Sequence, residues 1–287
     1  MTPEKITFTK EKETMLMTLS GRAIQSHWEH PILRDPWAEE AMRRIDYDMS
    51  QTLKGVSSWG IWKKIGPTII ASRAATFDLL TTRYLADHPD AAVLQVGCGM
   101  DSRVFRIAPP TTVQWFDVDY PDVMDLRRQL FPERDGSYHL IGAPLSDLRW
   151  LDEVPRDRPG LLIAEGVLHY LSEPEVKALL NAVVAHFPSG QLIFDICNPF
   201  IVKRTGSNVG GTGATYKWGL DDPQDIRQLE PKLELVKEYR PSEQVAFSRF
   251  PFWWRIPYRA QEVNSTLRRM ERIIVYRFEN ASSPSRS

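Results

Sequence analysis

The sequence predicts an α/β fold, in which helices cover both faces of a mainly parallel sheet and a helical region precedes that sheet. Two observations lead to this prediction. From Ala91 onward, short apolar runs alternate with segments of helical periodicity, whereas the residues before it show helical periodicity alone. A glycine-rich turn also follows the first apolar run directly, and in such sheets ligands bind beyond the carboxyl ends of the strands.

The composition is that of an ordinary globular protein. Of the 287 residues 42% are hydrophobic, and 36 basic residues nearly balance 37 acidic ones, for a formal net charge of −1. This apolar content excludes disorder as the main state, and the charge balance argues against a nucleic-acid partner. No run of roughly 18 apolar residues predicts a membrane span, and the polar first 13 residues lack a signal peptide's apolar core. We therefore expect a cytoplasmic protein without a membrane partner.

The two cysteines are predicted to be structural. Cys98 and Cys197 each lie in an apolar, strand-like run, and neither has the spacing of a zinc ligand. We expect both to be buried, reduced thiols, and we expect no metal site.

The region 14–85 is predicted to be helical. Apolar residues recur there at helical spacing, and 69–85 forms one amphipathic pattern. Pro31, Pro36 and Pro67 are predicted to divide the region into short helices.

The remainder of the chain contains seven strand-like segments. They are residues 91–96, 113–118, 138–141, 161–164, 191–196, 233–239 and 272–278. Helices are predicted at 120–130 and 174–187. The segment 198–222 is rich in Gly, Asn and Thr and is too long for a simple connection, which indicates a functional loop.

The turn after the first strand is the most informative motif. Gly97 and Gly99 allow positive φ angles and close approach of the backbone to a ligand. A dinucleotide-binding fingerprint would place a third glycine at position 102, where this chain has Ser102. Pyrophosphate binding is therefore disfavoured, and a purely structural turn is the alternative.

Acidic residues follow two other strands. Asp119 stands 20 positions after Gly99, where an acid can accept both ribose hydroxyls, although Asp117 lies near the same strand end and one of the two can instead cap the next helix. Glu165 follows the fourth strand directly. A bound ammonium group would offset the cost of burying this carboxylate. The alternative for Glu165 is an acid that stabilises a helix N-terminus.

Several motifs in the same order give the chain a family resemblance. They are LSGRAIQS (19–26), ILRDP (32–36), RIDYD (44–48), GCGMDSR (97–103), WFDVDYP (115–121), AEGVLHYL (164–171) and WGLDD (218–222). With these motifs the sequence resembles the leucine carboxyl methyltransferase superfamily, and within it the bacterial tetracenomycin-type polyketide O-methyltransferases. The resemblance extends from about residue 12 to residue 278.

The resemblance implies a class I methyltransferase fold, with a seven-stranded Rossmann-like sheet whose last strand is antiparallel. It implies an enzyme that transfers a methyl group from S-adenosyl-L-methionine (SAM) to a carboxylate or hydroxyl of a small polyketide-like or aromatic metabolite. Residues 1–90 would form an N-terminal helical cap over the substrate, and 91–279 the SAM-binding core with a cap insertion at about 198–235. We expect 280–287 to be a flexible tail.

The resemblance also implies roles for individual residues. Arg73 would pair with the methionine carboxylate of SAM, Gly97 would pack against the methionine moiety, Asp119 would bind the ribose, and Glu165 would hold the α-amino group. Further cofactor-binding residues on this basis are Cys98, Gly99, Asp101, Leu145 and Asp147. The adenine contacts are expected from the Leu145 backbone and from Asp147, since Pro144 has no N–H to donate. Gln95 stands where many class I enzymes have an acid.

His169 and Tyr170 are the candidate catalytic residues. An acceptor carboxylate, with a pKa near 4, is already ionised at pH 7, whereas a phenol, with a pKa near 10, would benefit from a base such as His169. The alternative is that both side chains simply pack in the core. Tyr216 and Trp218 are candidates for substrate contact. The aromatic segment 247–258 is compatible with a substrate wall, with the interface of a possible homodimer, or with core packing.

Three other functions remain open at this point. A nicotinamide-dependent oxidoreductase shares the sheet and the ribose acid but needs the missing third glycine. A non-catalytic SAM-binding module would use the same cofactor residues. The third alternative is a methyltransferase for protein-tail carboxyl groups.

Overall fold

The computed structural model describes residues 4–5, 11–46, 59–134, 136–205, 214–261, 269 and 271–280. Residues 47–48 of one family-like motif, 206–213 of the predicted insertion and 281–287 of the predicted tail lie outside this part of the chain.

A seven-stranded mixed sheet forms the centre of the protein. Its strands are β3 (Ala92–Val96), β4 (Gln114–Asp119), β5 (Tyr138–Gly142), β6 (Gly160–Ala164), β7 (Ser189–Cys197), β8 (Glu234–Tyr239) and β9 (Glu271–Glu279). The spatial order is β5-β4-β3-β6-β7-β9-β8, and β9 runs antiparallel to both of its neighbours, β7 and β8, whereas the other neighbouring strands pair in parallel. The predicted fold class is confirmed, and every predicted strand boundary lies within two residues of the observed one. A separate parallel pair joins β1 (Glu4–Lys5) to β2 (Ile45–Asp46).

Helices cover both faces of the sheet. They are α1 (Glu11–Ser26), α2 (Pro36–Arg44), α3 (Trp59–Asp87), α4 (Arg103–Ile107), α5 (Pro121–Leu130), α6 (Glu173–His186), α7 (Pro199–Thr205), α8 (Ile226–Leu229) and α9 (Phe252–Gln261). Several begin at residues suited to that position. The carboxylate of Asp35 caps α2 by accepting a hydrogen bond from the N–H of Ala38 at 3.0 Å, and Pro36 and Pro121 occupy first helical positions, where no N–H is needed.

The predicted break at Pro67 is wrong, because α3 continues through this residue. A proline removes one intrahelical hydrogen bond and disturbs the preceding turn. Ile65 and Thr68, on either side of it, are both buried. Tertiary packing of these neighbours therefore outweighs the local helix-breaking tendency.

The central strands are apolar on both faces because each face carries helices. Leu94 and Leu162 belong to the cluster that includes residues of α6, whereas Val93 and Leu161 pack with Phe77 of α3. This double burial explains why β3 and β6 read as continuous apolar runs. It also fixes the carboxyl ends of the parallel strands along one edge.

Helices α1 and α2 pack over that edge. Leu16, Leu19 and Ala38 share an apolar cluster with Met100 and Val123, which lie next to the glycine turn and in α5. The N-terminal helices therefore cover the place where the predicted ligand-binding residues meet.

Both cysteines are buried and unpaired, as predicted. Within the described ranges, no helix combines the length and the apolar character needed to cross a bilayer.

Candidate active site

A cavity of about 450 Å³ opens at the carboxyl edge of the sheet. Its wall comes from α1, the glycine turn, the turns after β4, β5 and β6, and residues 214–217. The volume is in the range of sites for small molecules. The cavity therefore joins the first helix, the central strands and the predicted insertion in one site.

The glycine turn requires glycine for two reasons. Gly97 and Gly99 have φ angles of +57° and +48°, in the left-handed region that disfavours side chains. A Cβ on Gly97 would also lie 2.5 Å from Cγ2 of Val167. Cys98 lines the cavity between them, and burial raises the pKa of its thiol, so it remains protonated and apolar at neutral pH.

Asp119 holds the glycine turn from the neighbouring strand. Its Oδ2 accepts a hydrogen bond from the N–H of Gly99 at 2.8 Å, and its Oδ1 accepts one from the N–H of Tyr120 at 2.7 Å. Asp119 lines the cavity. Asp117, by contrast, is fully buried and pairs with Arg127. The two acids that the sequence leaves as alternatives thus occupy different environments, and Asp119 is the one on the cavity wall.

Arg73 and Glu165 meet in the cavity although 92 positions separate them in the chain. The Nε of Arg73 donates to Oε1 of Glu165 at 3.0 Å, and its Nη1 donates to Oδ2 of Asp195 at 2.9 Å. Burial opposes the charge on Arg73, but the two carboxylates outweigh it and the pKa of Arg73 lies above its usual value. A fixed cation and a fixed anion therefore stand side by side in the wall of the cavity that Gly97 also borders.

Asp195 was missed by the sequence analysis. Its second oxygen accepts a hydrogen bond from the N–H of Gly166 at 2.6 Å, which fixes the turn that carries Glu165. A detectable signal existed: Asp195 interrupts the buried apolar run of β7. A charge in a buried strand is costly unless it is paired, so it indicates a partner.

Asp101 takes part in an ionic network behind the cavity. Its carboxylate accepts hydrogen bonds from Nε2 of Gln95 at 2.9 Å and from Nη1 of Arg106 at 2.8 Å, and lies 2.9 Å from Nη1 of Arg103. Burial raises the pKa of Asp101, but the arginine charges dominate and hold it well below its usual value. Its oxygens are thus engaged with protein groups, although Asp101 also borders the cavity as the sequence analysis expected of a cofactor ligand.

The segment after β5 contributes an apolar wall. Ala143, Leu145 and Ser146 line the cavity. Asp147 is the one predicted cofactor-binding residue that does not border the cavity. Its carboxylate accepts hydrogen bonds from Nε and Nη2 of Arg149 at 2.8 and 2.6 Å, and those bonds lower the pKa of Asp147.

Three aromatic rings line another part of the cavity. The ring centroid of His169 lies 4.6 Å from that of Tyr170 and 4.2 Å from that of Tyr216, and the two tyrosines are 5.2 Å apart. Their hydroxyls share a hydrogen bond, and Tyr170 also bonds to Thr14 of α1. His169 is 6% exposed, and burial together with the charge of Arg73 lowers its pKa to about 3. The imidazole is therefore neutral at pH 7.

The other aromatic candidates lie elsewhere. Trp218 is buried in the core. Phe247 and Phe250 pack against Ile65, whereas Phe252 and Trp253 are 68% and 56% exposed. None of these five borders the cavity. The structure therefore does not bring Trp218, or these four residues of the segment 247–258, to the candidate site. The side chain of residue 258 lies outside the described part, and a homodimer contact through this segment stays a prediction.

These residues fit the chemical groups of SAM, which carries a carboxylate, an ammonium group and a ribose diol. The guanidinium of Arg73 and the carboxylates of Glu165 and Asp119 all border one cavity. Oε1 of Gln95 is buried at the same wall and has no hydrogen-bond partner within the described residues, which leaves an acceptor for a ligand.

Comparisons with known proteins agree with this geometry. The model of the leucine carboxyl methyltransferase family matches residues 15–184, more than half of the chain. The tetracenomycin polyketide synthesis O-methyltransferase TcmP of Streptomyces glaucescens is 41% identical over 238 residues, which cover 82% of this chain and 85% of that protein. The S-adenosyl-L-methionine-dependent methyltransferase dpfgK of Gibberella zeae is 31% identical over 249 residues, or 80% of this chain and 82% of the relative.

One solved structure extends the comparison to the fold. A methyltransferase candidate from Thermobifida fusca YX has a TM-score of 0.54 at 14% sequence identity, covering 92% of this chain and 95% of its own. At this identity the similarity shows the fold alone. The sequence matches go further, and the chain belongs to the leucine carboxyl methyltransferase family of SAM-dependent methyltransferases.

Proposed function

We propose that this protein is an O-methyltransferase that methylates a carboxylate of a small, planar, polyketide-like acceptor. The observation that carries the proposal is the division of one cavity into a charged part, at Arg73 and Glu165, and an aromatic part, at His169, Tyr170 and Tyr216. The O-methyltransferase and polyketide terms in the name of the S. glaucescens relative agree with it.

The charged part would hold the cofactor. Arg73 would bind its carboxylate through parallel N–H donors, and Glu165 would accept from its ammonium group. Asp119 would accept from the ribose hydroxyls, and the backbone around Gly97 leaves room for the chain between them. Leu145 and its neighbours would contribute the apolar wall for the adenine.

When bound, SAM supplies a methyl group that its sulfonium already activates for transfer. The protein's task is then to align the acceptor oxygen and exclude water, for which proximity and orientation can supply about 7–11 kcal/mol. Helix α1 serves both purposes, since Thr14 and Met15 border the cavity and a Cβ on Gly99 would meet Met15 at 2.7 Å.

The neutral His169 favours a carboxylate over a phenol as acceptor. With a pKa of about 3, His169 is far from the value near the working pH that suits a general base. A phenol would have to lose its proton at a pKa near 10, whereas a carboxylic acid arrives ionised. His169 would then act as a packing wall for the acceptor.

The product distinguishes these acceptors. The protein is incubated with SAM labelled in its methyl group and a metabolite extract of the host, and the labelled product is treated with mild alkali. A methyl ester releases the label as methanol, which is the expected result. An alkali-stable aryl ether would instead assign a hydroxyl acceptor. Saturable SAM binding without any labelled product would contradict the assignment as an enzyme for small molecules.

A further inference from the structure

Arg103 joins three carboxylates from three parts of the chain. It is the first residue of α4, and its side chain is 0% exposed. Its Nε donates to Oδ1 of Asp78 at 2.8 Å, its Nη1 lies 2.9 Å from Oδ2 of Asp101, and its Nη2 donates to Oε2 of Glu165 at 2.6 Å. Helix α3, the glycine turn and the turn after β6 therefore meet at one guanidinium.

Glu165 is consequently held from two sides. Arg73 contacts Oε1 and borders the cavity, whereas Arg103 contacts Oε2 and does not. The Arg103 contact is the shorter of the two, at 2.6 Å against 3.0 Å. A ligand that reaches Glu165 from the cavity meets a carboxylate already anchored from behind.

We infer that Arg103 is a positioning residue, which fixes the orientation of Glu165 from behind so that this carboxylate can receive the ammonium group of SAM. The inference rests on the proposed role of Glu165. Its physical basis is that a buried carboxylate is costly unless a cation pairs with it, so the guanidinium that pairs with Glu165 also fixes its place. Without Arg103, Glu165 would keep Arg73 alone, which also faces Asp195.

Arg106 provides a matched control. It lies three residues further along α4, its side chain is 4% exposed, and it bonds to Asp78, Asp101 and Asp35. It makes no contact with Glu165 among the contacts of the described residues. Loss of Arg106 therefore reports the general structural cost of disturbing this network.

The test compares Arg103→Lys with Arg106→Lys by calorimetric titration with SAM, alongside the thermal midpoint of each variant. Lysine keeps the charge but cannot bond to three carboxylates. We expect both variants to lose similar thermal stability. Arg103→Lys should weaken SAM binding about 10- to 100-fold, the range for a lost charged hydrogen bond.

Arg106→Lys should keep SAM affinity within about threefold of the original, since Glu165 retains both partners. Matching affinities in the two lysine variants would overturn the inference. Glu165→Gln separates this outcome from failure of the proposed function. If Glu165→Gln leaves SAM affinity unchanged, Glu165 is not a cofactor ligand and both proposals fail.

A second pair of variants covers the case in which Arg103→Lys does not fold. Arg103→Gln combined with Glu165→Gln removes one charge of each sign and so leaves the net charge unchanged. Because Arg103 acts through Glu165, the double variant should bind SAM as weakly as Glu165→Gln alone. A further loss beyond the single variant would contradict the inference.

Discussion

The two parts of the cavity are built on different physical principles. In the charged part, Arg73, Glu165 and Asp119 each form ion pairs or hydrogen bonds with residues distant in the chain. In the aromatic part, His169 and Tyr216 meet through ring contacts, and the hydroxyl of Tyr170 bonds to those of Tyr216 and Thr14. Ion pairs in a buried network depend on one arrangement, whereas rings tolerate exchange of similar shapes. The comparison teaches that the charged part depends on the arrangement of the whole fold, while the aromatic part rests on a few replaceable side chains.

Arg73→Ala should produce the largest effect, and it acts on the charged part. The substitution leaves Glu165 and Asp195 without the cation between them, and it removes the group that we propose as the ligand of the SAM carboxylate. Truncating one partner of a buried charge pair costs about 2–5 kcal/mol, which corresponds to a rise in the Kd for SAM of roughly 30-fold to several thousandfold. Calorimetric titration with SAM measures this Kd. Arg128→Ala, at an exposed ion pair on α5, is the control and should leave the Kd unchanged. An unaltered Kd in the Arg73 variant would contradict the division of the cavity.

His169 should have an intermediate effect, on stability rather than on cofactor binding. The pKa of His169 in the folded protein is about 3, below the 6.5 of an unperturbed histidine, so between these values the unfolded chain binds more protons than the folded one. Stability should therefore rise with pH through this window and level off above it. From pH 5 to pH 7, His169 should raise the free energy of unfolding by about 2 kcal/mol.

Urea unfolding of the original protein and of His169→Phe at these two pH values measures that contribution. The gain in the free energy of unfolding from pH 5 to pH 7 should be about 2 kcal/mol smaller in the variant than in the original protein. The affinity of the variant for SAM should stay within about threefold of the original. An equal pH dependence in both proteins would show that His169 is protonated alike in the folded and unfolded states.

Tyr216→Phe should have the smallest effect, and it tests the division of the cavity into two parts most directly. It removes the hydroxyl that bonds to Tyr170 but keeps the ring beside His169. A lost neutral hydrogen bond costs about 0.5–1.5 kcal/mol, so the KM for the acceptor should rise by at most about tenfold. Steady-state kinetics with each substrate varied in turn separates the two parts. A larger change in the KM for SAM than for the acceptor would show that Tyr216 belongs to the charged part.

The sequence predicted the sheet and the position of the candidate site better than the hydrogen bonds and ion pairs among the residues of that site. Because apolar runs mark the strands, it placed Gly97, Asp119 and Glu165 at strand ends, which share one edge in a parallel sheet. It did not predict that Arg103 joins Asp78 to Glu165, because that choice depends on how α3 and α4 lie against each other. Local signals also failed where packing decides the outcome: Pro67 continues a helix, and Phe252 is exposed although its segment is apolar.

The bond between Arg73 and Asp195 closes a loop of 122 positions. Contacts of such long range are formed late in folding, because the loss of chain entropy precedes the gain in bonding. Until β7 has entered the sheet beside β6, Asp195 is not available to hold Arg73. A ribosome-bound or truncated chain that ends before β7 should therefore fail to retain the methyl donor, and the donor, by binding only the finished fold, should protect new molecules from proteolysis.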